Sequence, residues 1–148
     1  GIRVPDGLLM VYPALKLEPK QYSPSLLNAM EDSMLSYSFL KLCLEAYIPA
    51  DCDPKINYYL SPLNAPDEVL AKLPMLRIMV GEKDPLGDDC WRFLDKMVRL
   101  KKDARLYLYR HLPHAFLSYD HIIGYDMILG DSIAMIKELF ALADCANQ

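Results

Sequence analysis

Pro74-Met75-Leu76-Arg77-Ile78-Met79-Val80-Gly81-Glu82-Lys83-Asp84-Pro85 is the stretch from which the fold is read. From Leu76 to Gly81 it is a nearly continuous apolar run, bounded by Pro74 and Gly81. A strand covered by helices on both faces needs apolar residues on both sides, so such a run predicts a central strand of a parallel sheet. Asp84 then stands at the C-terminal end of that strand.

Two further runs extend the pattern. Leu8-Leu9-Met10-Val11-Tyr12-Pro13, preceded by Pro5-Asp6-Gly7, reads as another strand buried on both faces. Ala104-Arg105-Leu106-Tyr107-Leu108-Tyr109 alternates more, and Arg105 interrupts it, which predicts a strand nearer the sheet edge.

Helices are predicted between the strands. One is capped by Asp32 or Ser33 and runs to Tyr47, with Leu35, Phe39, Leu42, Cys43 and Ala46 on its inner face. A short turn starts at Ser25, and Asp67 caps a helix from Glu68 to Lys72 that Pro74 stops. Asp88 or Asp89 begins a helix through Lys101, with Cys90, Phe93, Leu94, Met97 and Leu100 inward. The last helix is predicted from Asp131 to Cys145, with Ile133, Ile136, Phe140 and Ala143 inward. Strand, helices, strand, helix, strand, helix defines an α/β layer with right-handed crossovers. Residues 19–62 are too long and too helical for a simple crossover. They form a helical, cap-like excursion, expected over the strand C-termini, where open α/β sheets bind ligands.

The 148 residues suffice for one domain, 1–148, with a core of its own. Hydrophobic residues make up 53%, which excludes disorder. Net charge is −4, from 16 basic and 20 acidic residues scattered without a basic stripe, so no nucleic-acid partner is implied. No apolar run reaches the roughly 18 residues of a membrane span, and no secretory leader is visible. Cys43, Cys52, Cys90 and Cys145 fit neither a zinc pattern nor a disulfide framework. They are expected to be free and mostly buried thiols of a reducing, cytoplasmic compartment. His111, His114 and His121 lie close in sequence, but on a strand-end loop they point apart, so no metal site is expected.

His114, in Leu112-Pro113-His114-Ala115-Phe116, follows the third strand as Asp84 follows the second. An acid and a later histidine, each at a strand tip, are two thirds of a Ser-His-Asp triad. The histidine takes and returns a proton, and a buried carboxylate fixes its tautomer. Adjacent parallel strands would bring the two together. Taken singly, Asp84 before Pro85 starts a turn, Asp88 and Asp89 are helix caps, and His111 and His121 are structural. Tyr22, Tyr37, Tyr47, Tyr58 and Tyr59, with Met30 and Met34, are first read as core, though they offer lining for an acyl pocket. No serine lies in a Gly-x-Ser-x-Gly context.

Several segments together resemble the hormone-sensitive-lipase branch of the α/β-hydrolase fold. They are Val-Pro-Asp-Gly-Leu-Leu-Met-Val-Tyr-Pro-Ala (4–14), Ser-Pro-Ser-Leu-Leu (23–27), Ser-Pro-Leu-Asn-Ala-Pro-Asp (61–67), Asp-Pro-Leu-Gly-Asp-Asp (84–89) and Leu-Pro-His-Ala-Phe-Leu (112–117). The resemblance implies the C-terminal part of a carboxylic-ester hydrolase domain, with Asp84 as triad acid and His114 as general base. The family's His-Gly-Gly oxyanion loop and Gly-Asp-Ser-Ala-Gly nucleophile elbow do not occur here. The chain departs from the family in having Ala115 where glycine is usual and His111 where an acid often precedes Leu-Pro-His. Ala115 is a mild change unless its φ is positive.

The implied substrate is an acyl ester or acylglycerol, and the implied partner is the missing N-terminal half. No cofactor is implied, and lipid surfaces are a further expected association. Alone, the chain is expected to be inactive and to self-associate through the exposed edge of the 7–13 strand. The competing expectation is a non-catalytic module, derived from a hydrolase, that binds lipid or a partner.

Overall fold

The computed structural model describes residues 4–18, 22–32, 34–122 and 124–146. Its sheet has three parallel strands, β1 (Gly7–Val11), β2 (Met75–Gly81) and β3 (Ala104–Tyr109), in the order β1-β2-β3. Gly7 pairs with Met75, and Leu76 with Ala104. All three strands fall within a residue or two of the apolar runs in the sequence. β2 is the central strand, and every residue from Leu76 to Gly81 is buried.

β1 is less covered than its apolar run predicts, while its edge position among the described residues is as expected. Among the described residues it pairs only with β2, so it is an edge strand and only half-buried. Its apolar composition suits a covered position that the described residues do not supply.

The remaining elements are α1 (Pro24–Asn28), α2 (Tyr37–Tyr47), α3 (Asp67–Leu70), α4 (Gly87–Arg99) and α5 (Tyr125–Ala146). Alternate residues of β2 feed two cores on opposite faces of the sheet. Leu76, Ile78 and Val80 pack with Cys90, Phe93 and Met97 of α4. Met79 packs with Phe116 and with Ile128 and Met135 of α5.

Arg77 shares the α5 face and is wholly buried. Its guanidinium donates to both carboxylate oxygens of Asp103, at 3.1 Å each, and to Glu138 Oε1 at 2.8 Å. Burial works against this charge. The hydrogen bonds to Glu138 and Asp103 more than offset it and hold the guanidinium pKa above its ordinary value.

Several caps and faces are corrected by the structure. Ser23 caps α1, accepting from Leu26 N, and Ser25 lies inside the helix. Ser36 caps α2, whereas Asp32 forms a separate turn with the N–H groups of Met34 and Leu35. Ser33 lies outside the described residues. On α2 only Leu44 is buried, while Phe39, Leu42, Cys43 and Ala46 are exposed. Pro66 takes the cap position of α3, with Asp67 in the first turn. Asp88 and Asp89 likewise sit in the first turn of α4, where carboxylates favour the positive end of the helix dipole.

α5 starts six residues earlier than expected, after Gly124 at φ +86°. It buries Ile128, Ser132, Met135, Leu139 and Ala143, whereas Ile133, Ile136 and Phe140 are exposed. The helix is apolar on most sides, so spacing alone did not select the buried face. Ser132 is tolerated there because its hydroxyl donates to Ile128 O at 2.9 Å. All four cysteines are free, but only Cys90 is buried, and Cys43 and Cys145 are exposed.

Candidate active site

The site is built on the C-terminal tips of β2 and β3. After Gly81 the chain turns, with Asp84 N donating to Gly81 O at 3.1 Å and Gly87 N to Asp84 O at 3.0 Å. The turn leaves Asp84 only 1% exposed at the foot of α4. Its Oδ1 accepts from Leu86 N at 2.8 Å, and its Oδ2 lies 2.9 Å from His114 Nδ1. Against an ionised carboxylate, which can only accept, Nδ1 is the donor, and in the neutral imidazole Nε2 is then the acceptor. Thirty positions apart in the chain, the two side chains meet because β2 and β3 are adjacent and parallel.

The loop after β3 must lie close against the tip of β2. Lys83 N donates to Leu112 O at 3.0 Å, and Glu82 N to Tyr109 O at 2.9 Å. Glycine at 81 permits this approach. A Cβ there would collide with the Leu112 carbonyl oxygen and sit 2.7 Å from that of Pro113. Two loop residues take left-handed backbone, His111 at φ +63° and Ala115 at φ +59°. The condition that gives the departure at 115 its weight is therefore met: alanine occupies a conformation that favours glycine. Phe116, fully buried, then anchors the end of the loop.

His114 borders a groove of about 670 Å³. Its walls are mostly apolar and include Leu35, Leu40, Leu44, Tyr47, Tyr59 and Leu60. The outer face of α2 therefore contributes to the groove rather than to the core. Of the five tyrosines singled out, Tyr47 and Tyr59 line the groove. Tyr58 packs against the core on the α4 side, and the hydroxyls of Tyr22 and Tyr37 bond to each other at 3.0 Å. Met30 and Met34 are not part of the groove.

The other two histidines lie elsewhere. His111 is exposed, with Nδ1 3.4 Å from Glu82, and His121 is exposed beside Asp120. Among the described residues no three His, Cys, Asp or Glu side chains converge as metal ligands, and no helix is long and apolar enough to cross a membrane. The nearby thiol of Cys90 is pushed up to about 12, first by burial and then by the charge of Asp84. It stays protonated at neutral pH and offers no thiolate nucleophile.

Three features of the site had not been found from the sequence. Leu86 N is the second partner of the acid, Gly81 makes room for the loop, and Tyr12 packs its ring 5.1 Å from that of His114. Asp-Pro-Leu is a turn signature that accounts for the first. No local pattern marks the other two.

Residues 1–118 match a family model described as the alpha/beta hydrolase fold. A stretch of 57 residues is 42% identical to Hormone-sensitive lipase of Homo sapiens, covering 38% of this chain and 5% of that protein. A crystal structure of a hormone-sensitive lipase from a metagenome library superposes with a TM-score of 0.79 at 25% identity, over 97% of this chain and 46% of that one. Carboxyl esterase 2 from the mycorrhizal fungus Tuber melanosporum superposes with a TM-score of 0.68 at 27% identity, over 80% of this chain and 38% of that one. The chain therefore belongs to the α/β-hydrolase-fold family, and its relatives put it in the hormone-sensitive-lipase branch. It spans less than half of these solved structures, and its aligned part spans under a tenth of the lipases it matches.

Proposed function

We propose that this chain supplies the acid and the base of a serine-type carboxylic-ester hydrolase. Asp84 is the triad acid and His114 the general base. The nucleophilic serine and the oxyanion donors belong to the other half of the catalytic domain. The observation that carries the proposal is the 2.9 Å contact between His114 Nδ1 and the buried Asp84 carboxylate, at adjacent strand tips beside an apolar groove.

In the reaction, Nε2 of His114 takes the proton of the serine hydroxyl as its oxygen attacks the ester carbonyl. The imidazolium returns that proton to the leaving alcohol, and a water molecule repeats the cycle on the acyl-enzyme. Asp84 holds the imidazole in the Nδ1–H tautomer and stabilises its charged form. The groove walls suit the acyl chain of a simple ester or an acylglycerol, with residues 19–62 as part of the cap. The edge of β1 that the described residues leave open, with Ile136 and Phe140 of α5 lining a groove beside Gly7 and Leu9, is the seat for the serine-bearing half.

Turnover of p-nitrophenyl butyrate tests the proposal. The 148 residues alone are expected to be inactive. Paired with the serine-bearing half, they are expected to be active, with His114→Ala and Asp84→Asn each abolishing most of the rate. Activity of the isolated chain that His114→Ala removes would point to another nucleophile and overturn this assignment. Light scattering of the isolated chain is expected to show a dimer or larger species joined through the β1 edge. A monodisperse monomer counts against that part.

A further inference from the structure

Tyr12 is the first residue beyond β1, and its φ is +40°. Left-handed backbone is uncommon outside glycine, and for a bulky side chain it is an outlier that must be held by its surroundings. Here the backbone is held by Tyr12 N donating to Met79 O at 2.7 Å, one step past the end of the β1–β2 pairing. The bend turns the side chain out of the strand's alternation and toward the tips of β2 and β3.

The ring packs against two others. Its centroid lies 5.1 Å from that of His114, at an interplanar angle of 59°. It also meets Phe116 edge-on, at 5.3 Å and 83°. Phe116 is fully buried, so it is a fixed backing. Both geometries are favourable for aromatic pairs. Tyr12 also borders the same groove as His114.

The hydrogen bond to Asp84 fixes one atom of the imidazole, Nδ1. It leaves a coupled change of the two side-chain torsions that keeps Nδ1 near Oδ2 while swinging Nε2, and the ring torsion is a broad and soft one. A second ring packed 5.1 Å away, centroid to centroid, opposes that swing. We infer that Tyr12 is a positioning residue, whose strained backbone presents its ring to His114 so that Nε2 faces the groove. The inference rests on the acid–base assignment of Asp84 and His114 and adds what orients the base.

The test is spectroscopic first and kinetic second. In the chain with isotope-labelled histidine, the Nδ1 proton bonded to Asp84 should give a resonance downfield of the amide region, assigned by its loss in His114→Ala. Tyr12→Phe keeps the ring and should keep the resonance. Tyr12→Asn removes the ring, but asparagine tolerates left-handed backbone. It should broaden or abolish the resonance while the amide signals of β2 and β3 persist. In the complete enzyme Tyr12→Asn should lower kcat roughly tenfold or more with KM within about twofold, as loss of orientation predicts, and Tyr12→Phe should restore it.

A folded Tyr12→Asn chain with an unchanged resonance overturns the inference. So does loss of the β2 and β3 signals, because Tyr12 would then hold the fold rather than the base. Absence of the resonance from the unmutated chain defeats the Asp84–His114 pair itself, a different failure.

Discussion

Arg77→Ala is expected to be among the most destabilising single changes away from the site. Arg77 is wholly buried, yet it is satisfied by Asp103, just before β3, and Glu138 of α5, so it ties β2 to the entry of β3 and to α5. Removing one partner of a buried ion pair costs about 3–5 kcal/mol. Two features argue for the low end. Asp103 and Glu138 keep 44% and 32% exposure, so water rehydrates them when the guanidinium is gone. Arg105 also remains, 3.7 Å from Asp103 and 3.0 Å from Glu138.

The expected loss for Arg77→Ala is therefore about 3 kcal/mol, or a fall in Tm of roughly 6–12 °C for a domain of this size. Urea unfolding followed by the fluorescence of Trp91, the only tryptophan, measures it. The slope should stay constant if only stability has changed. Glu138→Gln should cost less than about 1 kcal/mol, since the two-point contact to Asp103 is retained and the amide oxygen still accepts. A loss under about 1 kcal/mol for Arg77→Ala would mean that the network contributes no more than an exposed pair, against the buried tie described above.

Three further outcomes are expected. Gly81→Ala should cost more than about 2 kcal/mol, because the new Cβ meets fixed carbonyls of the His114 loop, and the same variant should weaken the His114–Asp84 resonance. Ala115→Gly relieves left-handed strain of roughly 1–2 kcal/mol against an unfolded-state entropy cost of about 0.4–1 kcal/mol. Thermal unfolding should thus show a Tm unchanged or slightly raised, and a clear fall would contradict the strain. Glu138 is held below its usual pKa, first by its hydrogen bond to Arg77, so its contribution to stability is present above the unfolded value of about 4.3 and is lost as pH falls through the folded one. Urea midpoints between pH 7 and 3 should decline less steeply at the acid end in Glu138→Gln than in the parent.

The two sides of the site were not equally legible. Strands announce themselves locally, since a doubly covered strand must be apolar throughout, and the β2 run could be little else. Asp84 and His114 followed from their places just after such runs. The helices were harder. α5 offers an apolar residue on nearly every side, and α2 carries Phe39 and Leu42 on a face that the described residues leave open. Periodicity finds a face only when the rest of the helix is polar, as on α4, where Cys90, Phe93 and Met97 were placed correctly. Capping was similarly ambiguous, because Asp32, Ser36 and Asp88 all suit helix starts, and only the path of the chain selects among them.

Residue types in order were enough to read a parallel α/β chain with an acid and a histidine at successive strand ends, and the motifs carried the family. Those facts reside in residue types and their order. What needed the folded chain was the 2.9 Å meeting of Asp84 with His114, the close approach of the His114 loop to Gly81, and the buried faces of α2 and α5. The folded chain alone decided the left-handed backbone of Tyr12 and Ala115, and with it the ring that rests on the histidine. Side-chain meetings and backbone strain are set by contacts between distant segments, and no local propensity encodes them.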